Sequence, residues 1–140
     1  MGVQVSFWGV IIAALSSLFV GALWYSPLLF VKPWTKLARI DTKKTGGPSV
    51  WQPIAISFVV SLVMAYVLAH VSFLSFRFFG ISFFQSAVTT AFWMWLGFSV
   101  TRVISHDGFE GRPFQLTLIT IGNEFVTYML MGLIIGLIGI

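Results

Sequence analysis

Two stretches hold side chains that could do chemistry. In "TLITIGNEFVTYMLMG", Thr117 to Gly132, Asn123 and Glu124 stand side by side within an otherwise apolar run. A carboxylate in such a run can bind a proton or a cation, given oxygens around it. Thr120, Thr127 and Tyr128 recur at helical spacing from Glu124 and share its side of a helix. Ser86, Thr89 and Thr90 form a second polar stripe, so a facing helix could complete the shell. In the other stretch, "SHDGFEGRP", His106, Asp107, Glu110 and Arg112 fall close together. They could hold a divalent ion or act as acid and base. One His and two acids without a ligand spacing favour a structural turn instead, with Glu110 paired to Arg112, Gly108 and Gly111 turning the chain, and Pro113 starting the next helix. No metal and no cofactor is therefore expected.

These residues need elements to position them, and composition says which. The 140-residue chain is 58% hydrophobic and 9% charged, against about 25% charged residues in soluble domains. It belongs in a bilayer, as a single domain over 1–140. The chain has no Cys, which removes thiol chemistry. A net charge of +4 could suggest nucleic acid, but Lys32, Lys36, Arg39, Lys43 and Lys44 share one short connector. Such a cluster is suited to anionic headgroups at a membrane surface, and no nucleic-acid partner is expected.

A span needs about 20 mostly apolar residues, and windows at 5–25, 52–74, 82–104 and 114–138 qualify. The spacing predicts an all-α integral membrane protein with four transmembrane helices in an antiparallel bundle. A short basic interfacial helix should follow the first span, with Pro33 in its first turn. The positive-inside rule puts the first and third connectors in the cytoplasm and both termini outside, making this a multi-pass protein of the cell membrane.

Helices in lipid meet through small residues. Gly9, Ala13, Ser17 and Gly21 form one such row, Ser57, Ser61, Ala65 and Ala69 a second, and Gly132 and Gly136 a third. The rows are expected to pack helices together and to serve a homo-oligomer or other membrane proteins. Glu124 lies about ten residues beyond Phe114, roughly 15 Å along its helix and near the middle of the hydrocarbon. Arg102 is expected near the inner surface, His70 and Arg77 near the outer one. That leaves Glu124 without a basic partner, donating to Asn123, Ser61, Thr89 or Thr90.

"GALWYSPLLFVKPW", "AFWMWLGFSVT" and "FEGRPFQLTLITIGNEFVTYMLMG" together resemble a bacterial membrane family known as domain of unknown function 1761. The resemblance covers nearly the whole chain, and its most specific part is "WLGF" followed by "FEGRP". It implies a small four-helix membrane protein and brings no activity, cofactor or catalytic residue. The family's pattern has a small residue after the Asn, where this chain carries Glu124.

Three function classes stay open. A helix-packing oligomeric or accessory subunit fits most of the sequence. A transporter or channel for a small solute, proton or cation, with Glu124 as its ionisable site, is the alternative. An enzyme is the least favoured, since no Walker loop, GxSxG elbow or HExxH pair is present.

Overall fold

A computed structural model describes residues 2–40 and 51–140, and every regular element among them is helical. Helix α1 spans Phe7–Trp24, α2 Val31–Leu37 and α3 Trp51–Phe79. A single rod then joins α4, Phe83–Met94, through a π-helical segment, Trp95–Val100, to α5, Thr101–Phe109, and α6 spans Phe114–Ile138. Local sequence starts several of these helices. Ser6 Oγ accepts from the Gly9 amide at 3.3 Å, capping α1. Ser82 and Gln85 form a reciprocal capping box on α4.

Four helices are long and apolar enough to cross a membrane: Phe7–Trp24, Trp51–Phe79, Phe83–Phe109 and Phe114–Ile138. Two of them outrun the apolar windows read from the sequence, α3 ending at Phe79 and the third rod at Phe109. Apolarity marks where a chain leaves hydrocarbon, whereas helical backbone bonds can continue into water. His106, Asp107 and Gly108 consequently form the last turn of α5, and the chain reverses at Gly111, whose φ is 64°. Pro113 caps α6 and does not enter it.

Helix α1 lies against α3 and α6, and α4 lies against the same two helices. Gly9 of α1 abuts Ile138 of α6, whereas Trp24 reaches Ile119. Gly136 abuts Phe84, Gly132 abuts Ala87 and Ala91, and Thr117 bonds to Asp107. Between them Ala13, Ala14, Ala65, Ala87 and Ala91 are fully buried. The small residues expected to dock other helices are thus largely occupied inside this chain, Ala65, Ala69 and Gly132 among them. Ser17 Oγ donates to Ser61 Oγ at 2.7 Å and joins α1 to α3.

Below that bond the two rows separate. No atom lies within 4 Å of where a Gly21 side chain would begin. Ser57 and most of the first ten residues of α3 are exposed, Phe58 being half-buried. Helix α3 packs on α4, with no comparable contact to the π segment or α5. The bundle is therefore closed at one end and parted at the other.

The chain folds back after α1, where the Phe30 ring meets Trp24 at 4.7 Å and Trp34 meets Tyr25 at 5.1 Å. Pro33 stands in the first turn of α2. Lys32, Lys36 and Arg39 are described, while Lys43 and Lys44 lie outside the described residues.

Candidate functional site

The parted end of the bundle contains a cleft of about 720 Å³ between α1, α3 and α6. Leu18, Ala22, Ile54, Ile56, Val60 and Met64 give it apolar walls. Its polar lining includes Tyr25, Asn123 and Thr127, and among the described residues that line it Glu124 is the one that carries a charge. Asn123 Nδ2 is buried without a hydrogen-bond partner among the described residues. An orphaned buried donor costs about 1–3 kcal/mol and calls for an explanation.

Two indoles fix the backbone that carries this pair. Trp24 Nε1, at the end of α1, donates to the Ile119 carbonyl at 3.1 Å, and Trp95 Nε1, at the start of the π segment, donates to the Ile121 carbonyl at 3.1 Å. The Trp24 ring lies over Gly122, where a Cβ would stand 3.0 Å from it. The Trp95 ring meets Phe125 edge-on at 4.8 Å. Residues 119–125 are held from two sides, so the position of Glu124 is set by both neighbours of α6.

Glu124 has partners on the side away from the cleft. Ser99, inside the π segment, lies close enough to act on its carboxylate, and so does the charge of Arg102. Tyr25 and Tyr128 also lie within its field. Thr120 lies beside the Tyr25 hydroxyl and donates its own proton to the Leu116 carbonyl at 3.1 Å. Arg102, expected near the inner surface, is the basic residue whose charge acts on Glu124. The rod continues seven residues beyond Arg102 to Phe109, roughly 10 Å of helix.

The expected polar seam is only partly assembled. Asn123, Glu124 and Thr127 share the cleft, with Tyr128 buried on the adjoining core side and Thr120 beside Tyr25. Ser86, Thr89 and Thr90 do not join them. Their stretch of α4 faces Gly132, which is eight residues and about 12 Å along α6 from Glu124. Ser86 and Thr90 are buried there, and Thr89 is exposed, donating to the Gln85 carbonyl at 2.7 Å. Ser61 is engaged by Ser17. Ser99, Arg102, Tyr25, Trp24 and Trp95 are the site residues that sequence reasoning missed.

The second cluster is a fastening between α5 and α6. Asp107, 5% exposed, accepts from Thr117 Oγ1 at 2.8 Å, and its backbone carbonyl accepts from the Arg112 amide at 2.9 Å. Arg112 Nε pairs with Glu110 and lies 3.9 Å from Asp107 Oδ1. His106 sits between Glu110, at 3.2 Å, and Asp107, at 3.4 Å. All four side chains are engaged with one another, and the buried one holds the helix that follows the turn.

A family model described as "Protein of unknown function (DUF1761)" matches residues 8–136. No curated protein and no solved structure matches the chain.

Proposed function

Because the chain belongs to the family described as Protein of unknown function (DUF1761), whose description carries no activity, we propose a function from the site alone: a multi-pass membrane protein that binds a proton or cationic solute at Glu124 and carries it across part of the bilayer. The observation that supports this reading is one acid lining a cleft of about 720 Å³ whose other described walls are uncharged. An intramembrane carboxylate beside a cavity is costly unless something binds it. Ser99 and Arg102 steady the acid from behind, which leaves its cleft side to a ligand.

The frame of the proposal is a single domain, with the four spans antiparallel in one bundle. The paired contacts of Gly9 with Ile138 and Trp24 with Ile119 support that arrangement. Lys32, Lys36 and Arg39 support an orientation with α2 at the cytoplasmic surface against anionic headgroups and both termini outside. Cys introduced at Phe79 and at Phe109, each exposed, should react with an impermeant thiol reagent from opposite faces of the membrane, Phe109 from within. Labelling of both from one face would end the four-span topology, and reversed faces would end only the orientation.

In liposomes the purified protein should support proton or cation flux whose rate depends on pH. Glu124→Gln should lower that flux at least about tenfold, equivalent to about 1.4 kcal/mol. Tyr25, Tyr128 and Arg102 are the other titratable groups near Glu124. Unchanged rate and pH dependence in Glu124→Gln would reduce the acid to a packing residue.

A homo-oligomeric or accessory role is the second reading. Its support is Gly97, exposed on the outer side of the π segment between exposed Leu96 and Phe98, since Ala65 and Gly132 are buried within the chain. Stoichiometric recovery of a second copy or another membrane protein, crosslinked in native membranes through Cys at Gly97, would favour it.

A further inference from the structure

We propose that the Glu124 cleft is a membrane-facing site for a lipophilic organic cation, one positive centre carried on an apolar body. The inference rests on the reading of this cleft as the working site and names the class of solute it takes.

Size is the first argument. A volume of about 720 Å³ falls within the roughly 300–1,000 Å³ of pockets that enclose organic ligands. A dehydrated metal ion would need six or more oxygens gathered around one point, at about 2.3–2.6 Å for calcium. The hydroxyls here are not gathered in that way. Ser17 Oγ lies 2.7 Å from both the Ala14 carbonyl and Ser61 Oγ, so two of the lining hydroxyls are already engaged with each other. The remaining walls are mainly alkyl, which suits a body with few polar atoms.

Charge is the second argument. Among the described lining residues Glu124 is the only charged one, and the aromatic residue Tyr25 lines the same cleft. A carboxylate with an aromatic face beside it favours an onium centre: the acid supplies the countercharge, and the ring quadrupole attracts a cation even when it has no proton to donate. Arg102 is exposed and is not part of the lining. An entering cation therefore meets the carboxylate without displacing the arginine.

Access is the third argument. The first half of α3 makes no extended contact with the π segment or α5, and Pro53, Ile54, Ile56 and Val60 line the cleft while being exposed. The opening is framed by alkyl side chains at bilayer depth. A hydrophobic cation already dissolved in the leaflet can enter sideways, whereas a hydrated ion would have to shed its water against apolar walls.

The test uses the full chain in lipid nanodiscs and a pair of probes of equal size and shape, tetraphenylphosphonium and tetraphenylborate. The phosphonium should bind saturably at one site per chain, at least tenfold more tightly than the borate. Glu124→Gln should weaken it at least tenfold. Val60→Trp, which fills the apolar wall and leaves the acid in place, should also weaken it at least tenfold. If Glu124→Gln does not fold, Glu124→Asp takes its place and should keep the preference for phosphonium with reduced affinity. Equal binding of both probes, or phosphonium binding indifferent to the substitutions at Glu124 and Val60, overturns the inference. Glu124-dependent flux of protons or sodium without phosphonium binding overturns it too, but leaves the wider reading of the cleft standing. Absence of both Glu124-dependent flux and binding removes the two together.

Discussion

Gly132→Leu is expected to leave little folded protein, because no space exists for a side chain at that position. A Cβ built on Gly132 would stand 2.7 Å from the Ala91 Cβ and 3.0 Å from the backbone oxygen of Ala87. The latter cannot rotate away. Overpacking a tight contact costs about 1–3 kcal/mol or more, and leucine adds three further carbons to the clash. The thermal unfolding midpoint in detergent should fall by roughly 10 °C or more, with aggregation increased. The more informative substitution is Gly132→Ala. Alanine gains about 1 kcal/mol of helix propensity over glycine, so propensity and packing predict opposite signs. Packing should win, and adding Ala91→Gly should recover part of the loss by removing the nearest atom. A Gly132→Ala protein more stable than the parent would show that α4 and α6 do not meet as described.

Trp24→Ala should have the next largest effect, since this side chain acts on three elements together. Its indole donates to the Ile119 carbonyl, its ring lies over Gly122, and its other face meets Phe30 at the entry to α2. Truncation of a packed Trp costs about 3–5 kcal/mol, and the loss should appear as a lower unfolding midpoint. Trp24→Phe keeps most of the ring and removes the N–H, which should cost only about 0.5–1.5 kcal/mol. The two variants should also differ at Glu124, because release of Ile119 frees the turn that carries it. If Trp24→Ala left both stability and the Glu124-dependent flux unchanged, the clamp on α6 would not exist.

The spans were legible because apolar runs are a property of the local chain. Their contacts were legible in kind: small residues at helical spacing do mark close approach, and Gly132 and Gly136 are its clearest cases. What periodicity does not carry is the register between helices. Spacing places Thr120, Thr127 and Glu124 on one side of α6, but it does not say that α4 slides Ser86 and Thr90 to the level of Gly132 and brings Ser99 to the acid. A signal was available in the indoles. Trp24 and Trp95 each sit where a ring could be taken for an interfacial anchor, yet each carries an N–H that needs an acceptor when half-buried. Both find one on α6, within four residues of Asn123.

The π segment gives the third span a count of residues that an ordinary helix would not have. An α-helix advances about 100° per residue, and a π turn accommodates an extra residue by widening locally. Removing one residue between Trp95 and Val100 would let the rod relax to regular α-helix, still apolar and still long enough to cross. Everything downstream would then rotate by roughly 100° relative to α4. Ser99 and Arg102 would leave Glu124, and Asp107 would leave Thr117, although none of their codons had changed. Relatives that differ in length at this point should therefore differ as a block, with the acid, its two supports and the Asp107 fastening altered together, while relatives of equal length can exchange single residues one at a time.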